Sequence, residues 1–271
     1  MDKKMKKRLA AIEKELLIIS KQEAKLEKAA MKERRGGMKE SLAKLLPGKV
    51  YAGLESAFCK GFSLVFSKGR GLIEKSYNKE TMQQDHSIRD FAVQVKGNRR
   101  ELKRMHKSAK RTDFVNLAVT TAEGIGLGAL GVGMPDIVLF ISTLLKGIYE
   151  TALNYGFDYE DPREQLLILK MMAASLLSGE EWQEANAEVN AILSVPDGYV
   201  EEEEFQEQLL QTASVFAVDM LVLKFIQGLP VVGIIGGAAN PVYYRKVLNY
   251  VQVKYRKRYL RNLQAMPMFE E

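Results

Sequence analysis

The sequence predicts an all-α protein: a single multi-helix domain with two helix–glycine-rich elbow–helix units and an N-terminal basic helical arm. Apolar residues recur every three to four positions through most of the 271 residues, which is the spacing of one helical face. No segment shows the apolar–polar alternation between turn residues that marks a half-buried strand. We place the boundaries at residues 1–37 for the arm, 38–265 for the helical domain and 266–271 for a tail.

The arm begins with a charged amphipathic helix over residues 1–35. Twelve Lys/Arg stand against six Asp/Glu in this stretch. Its apolar residues step by four and three, as in the seam of a coiled coil, and they are Met5, Leu9, Ile12, Leu16 and Ile19. The seam spans fewer than four heptads, so two interpretations stay open: a dimer through this helix, or docking on the chain's own domain.

A second basic segment predicts a charged helical face. One long helix is expected over Met82–Arg111, and Glu101 is the only acid that opposes the cations on one face of its second half. These cations stand three and four residues apart, and they are Lys96, Arg99, Arg100, Lys103, Arg104, Lys107, Lys110 and Arg111. Together with the net charge of +6, this face favours an anionic partner.

Two glycine-rich elbows follow apolar helices. The first leads into a helix over Ile137–Tyr149, and the second follows an apolar helix over Leu209–Leu229 and leads into a last helix that opens at Asn240-Pro241. Small residues four apart let helix backbones approach closely, either in lipid or in a tight core. The elbow glycines are Gly124, Gly126, Gly128, Gly131, Gly133, Gly233, Gly236 and Gly237.

Basic clusters flank both elbows. The cations of residues 96–111 precede the first elbow, and Arg245 and Lys246 begin a second basic cluster after the other. Such pairs of basic and apolar segments suit the anionic cytoplasmic leaflet, so we predict lipid contact at both elbows and both clusters. Interfacial insertion is favoured over a true span, because Asp136 would lie in hydrocarbon. Nucleic acid is not expected, since no zinc or RNP-type motif accompanies the charge.

Motifs for chemistry are weak. Gly126–Gly131 matches G-x-G-x-x-G and Glu150 follows about 20 residues later, but no strand–turn–helix pattern surrounds them. Only two histidines occur and neither stands in a metal-binding frame, so no metal and no cofactor are predicted. Cys59, the single cysteine, lies on an apolar helical face and is expected to be a buried structural thiol.

One stretch carries a family resemblance. Tyr155-Gly156-Phe157-Asp158, followed by Asp161-Pro162-Arg163-Glu164, resembles the EcsC family, which is named for the third protein of a bacterial locus encoding an ABC-type exporter. Leu229–Gly233 and Gly236–Asn240 resemble the family's closing block, and the likeness covers about residues 38–262, which leaves 1–35 outside. The resemblance implies a bacterial cytoplasmic protein, peripheral to the membrane and linked to export, and it supplies no catalytic residues.

The predicted function is therefore non-enzymatic. We expect an accessory protein at the inner face of the cell membrane, linked to an ABC-type transporter, that binds anionic lipid through its basic clusters. Two alternatives stay open. One is a soluble module whose elbows line a cavity for an apolar ligand, or which binds a protein. The other is a carboxylate-based enzyme, which would need acids such as Asp136 and Asp158 to share one cleft.

Overall fold

The computed structural model describes residues 3–32, 48–111, 135–195, 198–226 and 239–266. Every regular element in these ranges is helical, which confirms the all-α prediction. Both glycine elbows, residues 124–133 and 233–237, lie outside the described residues. The helices are α1 (Lys3–Lys32), α2 (Gly48–Leu64, continued by a π-helical turn over Val65–Gly69), α3 (Arg70–Glu74), α4 (Lys79–Lys96), α5 (Arg99–Arg111), α6 (Pro135–Asn154), α7 (Pro162–Leu176), α8 (Gly179–Ser194), α9 (Glu202–Ile226) and α10 (Ala239–Ala265).

Helix α6 is the centre of the fold. It packs against α2, α4, α5 and α10. Among the described helices it is the one long and apolar enough to cross a bilayer, over Ile137–Asn154, and 89% of that stretch is buried against the rest of the chain. Burial of this kind is typical of a core helix that is apolar on every side.

An aromatic cluster joins α2, α6, α9 and α10. The ring of Phe216 in α9 lies 5.5 Å from Phe62 and 6.1 Å from Phe140, and Phe140 lies 6.0 Å from Tyr243, all edge-to-face. Edge-to-face pairs of this kind contribute about 0.5–1.5 kcal/mol each beyond their area burial. The cluster fixes the helices that frame α6.

The N-terminal helix is part of this core. Ile12 and Ile19 are fully buried, and α1 lies along α10. The Arg8 guanidinium, also buried, donates a hydrogen bond of 2.7 Å to the carbonyl oxygen of Leu263. The centre of the seam therefore packs on the chain's own domain and is not available to a second copy in this conformation.

The prediction of a single helix over Met82–Arg111 is wrong, because Gly97 divides this segment into two helices. Gly97 adopts φ +52°, and its N–H donates to the Val93 carbonyl oxygen at 2.9 Å, which closes α4 with a left-handed cap. The Asn98 side chain then accepts a hydrogen bond of 3.1 Å from the Glu101 N–H, which opens α5. The stripe of cations therefore begins on the last residue of one helix and continues along the next.

Candidate membrane-binding surface and the family motif

Helix α5 has one anchored face and one charged face. Leu102, Met105 and Ala109 are buried against the core. On the opposite side lie the exposed cations of the predicted stripe, and those without an acidic partner among the described residues are Arg100, Lys103 and Lys107. The anchored face holds these three cations in one direction, toward solvent.

The other cations of the stripe are partly neutralised. Glu101 accepts from Arg104 at 3.0 Å and lies 3.5 Å from the Lys96 ammonium. Arg99 turns inward and binds Glu15 of α1 at 2.5 Å. The eight cations predicted to share one face therefore differ in their partners. Those without an acidic partner among the described residues lie in the middle of α5.

Two members of the stripe, Lys110 and Arg111, lie in the last turn of α5, and their side chains are outside the described residues. The same holds for the side chain of Asn240, in the first turn of α10. The elbow glycines also lie outside the described residues, so lipid contact at the elbows stays a prediction.

The basic cluster of α10 has a different environment. Arg245 is exposed and Lys246 is half-buried, and both interact with other residues of the chain. Further along α10, Lys254 and Arg256 are buried. The sequence suggested that the basic cluster after the second elbow suits an anionic membrane, and for Lys254 and Arg256 that interpretation is wrong, because these two cations bind acids of α1.

Glu15 is the central acid of this internal network. It is 1% exposed and binds Arg256 of α10 as well as Arg99 of α5. One carboxylate thus joins three helices. A buried carboxylate is stable only with good geometry and paired charges, and both of its oxygens are paired here.

A second acid of α1, Glu23, also binds two cations, about two helical turns after Glu15. Glu23 binds the ammonium groups of Lys254 and Lys257, each at 2.7 Å, and Lys254 also donates to Asn190 of α8 at 3.0 Å. Burial raises the pKa of Glu23, but the hydrogen bonds from the two lysines outweigh it and hold the pKa below its usual value of 4.5.

Sequence reasoning missed these acids. The coiled-coil seam was read from apolar residues alone, whereas the buried face of α1 includes Arg8 and Glu15 alongside Ile12 and Ile19. Spacings of three and four from Ile12 would have placed Glu15 on that face. An acid at an inward position of a basic helix is the signal that was available.

The Tyr155-Gly156-Phe157-Asp158 stretch is the C-terminal cap of α6. The Phe157 N–H donates to the Ala152 carbonyl oxygen and the Gly156 N–H to that of Leu153, both at 3.0 Å. Gly156 adopts φ +80°. This pair of bonds around a left-handed glycine is a Schellman motif, so the glycine is required by the turn.

The two histidines of the chain lie against this cap. His86 Nδ1 donates to the Asn154 carbonyl oxygen at 3.0 Å, and a Cβ on Gly156 would lie 2.3 Å from His86 Nε2. His106 Nδ1 lies 3.0 Å from the hydroxyl oxygen of buried Tyr155. Glycine is therefore needed twice, for its backbone angle and for the imidazole beside it.

The rest of the motif begins α7 and ties it to α10. Asp158 accepts from the Glu160 N–H at 3.0 Å, and Asp161 caps α7 by accepting from the Arg163 N–H at 2.8 Å, with Pro162 as the first helical residue. These bonds fix the start of α7.

Another ion pair of the basic cluster of α10 ties this helix to α7. Arg258 of α10 lies 4.2 Å above the Phe157 ring and binds Glu164 at 2.6 Å. The Glu164 carboxylate therefore ties the first turn of α7 to α10.

Comparison with known proteins confirms the family resemblance. The model of the EcsC protein family matches residues 10–260. The chain belongs to the EcsC protein family. Because the match begins at residue 10, most of α1 lies inside the family region, and the extent of 38–262 expected from the sequence is too short at its start.

One curated relative of this EcsC family chain is Protein EcsC of Bacillus subtilis (strain 168). It is 28% identical over 143 residues, which cover 51% of this chain and 57% of that protein. The aligned part is thus less than two thirds of the relative. No solved structure matches.

The described residues do not assemble the catalytic arrangements considered from the sequence. No group of three or more His, Cys, Asp or Glu in the described ranges could hold a metal ion. The backbone positions of Asp136 and Asn154 are about 27 Å apart along α6, and Asp158 follows the far end, so the backbones of Asp136 and Asp158 lie at opposite ends of this helix. Cys59 is half-buried, and burial raises its pKa.

The acid considered for a dinucleotide site is buried inside α6. Glu150 is 3% exposed, and burial raises its pKa to about 7, an effect that the nearby Lys146 ammonium partly offsets. Its position in the middle of a core helix, in described ranges without any strand, does not fit a ribose-binding acid after a βα turn.

Proposed function

We propose that this EcsC family protein attaches peripherally to anionic membrane through the outer face of α5. The observation that supports the proposal is the exposed set Arg100, Lys103 and Lys107, which has no acidic partner among the described residues and is fixed by the buried side of the same helix. Each such cation near an anionic leaflet contributes about 1 kcal/mol.

The neighbouring half of α1 adds to the same field. Glu15 binds Arg99, so this part of α1 lies beside α5, and it carries exposed Lys6, Lys7 and Lys14. Three acids of α8, by contrast, line the groove that this helix forms with α7 and α9, and they are Glu181, Glu184 and Glu188. A positive field on the α1–α5 side would orient the protein on an anionic surface.

Co-sedimentation with vesicles tests the proposal. The full chain should bind vesicles of phosphatidylglycerol and phosphatidylcholine at about 0.1 M salt and weaken strongly at about 1 M, where the Debye length falls to about 3 Å. Arg100→Glu, Lys103→Glu and Lys107→Glu together should lower the affinity more than tenfold.

The matched control changes the same charge elsewhere. Lys21, Lys25 and Lys28 are exposed on the other half of α1, and their reversal to Glu should leave most of the binding in place. Equal losses in the two triple variants would mean that net charge alone drives binding and that α5 is not the contact surface. Unchanged binding in the α5 variant would refute the proposal.

A soluble apolar-ligand module, the alternative, gains no support from the groove between α7, α8 and α9. This groove holds about 250 Å³ and is lined by charged and amide side chains as much as by apolar ones, including Lys170, Glu184, Glu188 and Gln208. The link to ABC-type export and the cytoplasmic location are proposed from family membership alone. Crosslinking in membranes, compared between the wild type and the α5 variant, tests whether membrane attachment precedes contact with a transporter.

A further inference from the structure

Helix α4 carries two exposed apolar side chains on one face. Ile88 is 68% exposed and Phe91 is 64% exposed, and they stand three residues apart, so they are neighbours on the helix surface. Val95, half-buried, continues the same face by one turn. Single exposed apolar residues are common on proteins, whereas adjacent ones on a fixed face mark contact surfaces.

The opposite side of α4 holds this face outward. Val93 is buried, Asp90 accepts a hydrogen bond of 2.7 Å from the Tyr259 hydroxyl, and His86 binds the end of α6. With three inward contacts over two turns, Ile88 and Phe91 cannot turn into the core without breaking them.

The apolar pair and the α5 cations share one side of the molecule. Helices α4 and α5 pack on each other and both pack on α6. Asn154 of α6 receives hydrogen bonds from Arg89 of α4 at 3.3 Å and from Ser108 of α5 at 3.2 Å. The two helices therefore form one layer over the end of α6, and their outer faces adjoin on its surface.

Two acids on the exposed side of α4 lie near the pair, and one of them is neutralised. Asp85 is bound by Arg89 at 2.7 Å, and Gln84 and Ser87 are neutral. Glu80, also exposed, lies two turns before Ile88. The layer thus presents apolar side chains beside cations, which is the composition of interfacial helices that insert an apolar face below lipid head groups.

We propose that Ile88 and Phe91 insert into the acyl boundary of an anionic bilayer while the α5 cations hold its phosphates. This inference rests on the proposed membrane attachment and adds a second component to it, one that salt does not screen. Each side chain should strengthen binding about tenfold, given the free energy of burying a side chain of this size. Wild-type protein should accordingly retain measurable binding to anionic vesicles at about 1 M salt.

The first test removes the apolar pair and keeps all charges. I88Q/F91Q is compared with the wild type on phosphatidylglycerol–phosphatidylcholine vesicles at both salt concentrations. L17Q/L210Q is the matched control, since Leu17 and Leu210 are 57% and 55% exposed on α1 and α9. We expect the affinity of I88Q/F91Q for the vesicles to fall tenfold or more at low salt, and its binding to be lost at high salt. The control should bind as tightly as the wild type at both salt concentrations.

The outcomes separate the two proposals. Binding by I88Q/F91Q equal to the wild type at both salts overturns insertion and leaves electrostatic attachment standing. Failure of the wild type to bind at all overturns both. Light scattering tests whether a second copy of the chain covers this apolar face instead. If the wild type is a dimer and I88Q/F91Q is a monomer, while vesicle binding does not change, insertion is also overturned.

A depth measurement tests the geometry directly. The chain has one tryptophan, Trp182, which is buried in α8, so its emission is a constant background. F91W should be quenched by brominated acyl chains and shifted to the blue on anionic vesicles, whereas L210W should not. Absence of quenching in bound F91W would show that Phe91 stays outside the acyl region.

Discussion

The basic residues of α5 and of α10 look alike in sequence, yet they face opposite environments. In α5 the cations Arg100, Lys103 and Lys107 point to solvent. In α10, Lys254 and Arg256 are 1% and 6% exposed. What separates them is the supply of acids: α10 lies between α1 and α7, which provide Glu15, Glu23 and Glu164, whereas the outer face of α5 has no helix over it in the described fold.

The comparison teaches that a basic run beside an apolar segment has two structural outcomes. If other helices bring carboxylates to it, the basic run becomes part of a buried network of ion pairs, because a buried cation is costly until it is paired. If nothing covers it, its charge is available to a partner. Four substitutions test this division, in order of the expected change in the free energy of unfolding.

The largest effect is expected for Glu15→Gln. It leaves the buried Arg256 without its counter-ion, and removing one partner of a buried pair costs about 3–5 kcal/mol. Urea denaturation followed by circular dichroism measures it. Glu13→Gln is the control, since Glu13 is exposed on the same helix and should change stability by less than about 0.5 kcal/mol. Equal effects would mean that the α10 cluster is not a buried network.

Gly156→Ala should come second. It forces a left-handed backbone on alanine and drives its Cβ into His86, which together cost about 2–4 kcal/mol. Gly179→Ala meets only the backbone cost, because Gly179 has φ +63° and open space around it. If the two variants unfold at the same urea concentration, the imidazole contact does not constrain the turn that brings α7 to Arg258.

A smaller, pH-dependent effect is expected at Glu23. Its pKa is lower in the folded protein than in the unfolded chain, so its ion pairs stabilise the fold above about pH 4.5 and are lost as the pH falls through the folded pKa. Wild-type stability should therefore fall more steeply below this pH than that of Glu23→Gln. The control Glu27→Gln, at an exposed position, should follow the wild type; parallel curves for all three would contradict the pairing.

The smallest effect on stability is expected for reversal of the α5 cations. Lys103→Glu with Lys107→Glu changes exposed side chains only, so unfolding should shift by less than about 0.5 kcal/mol while vesicle binding falls. The matched change inside α10, Lys254→Glu, reverses a buried and paired cation and should lower the free energy of unfolding by several kcal/mol, as Glu15→Gln does. Loss of stability in the α5 variant would show that this face also serves the fold.

Several features were readable from the sequence because they are local. The helical period along α6, the Asp161-Pro162 start of α7 and the motif around Gly156 each depend on neighbours within a few residues. The break at Gly97 is equally local, but the helical pattern alone does not reveal it, because one glycine inside a long helical pattern is often tolerated.

Other features depend on residues far apart in the chain. Glu15 and Arg256 are separated by 241 positions, and nothing in either segment alone says that they meet. The exposure of Ile88 and Phe91 likewise follows from which face of α4 the core takes. Sequence by itself determined the helical class and the existence of basic segments, since these are set by local periodicity, caps and composition, and its motif around Gly156 carried the resemblance to the family. Tertiary structure alone decided which basic segment is internal and which is open, because pairing and burial of charge depend on the helices that pack around it.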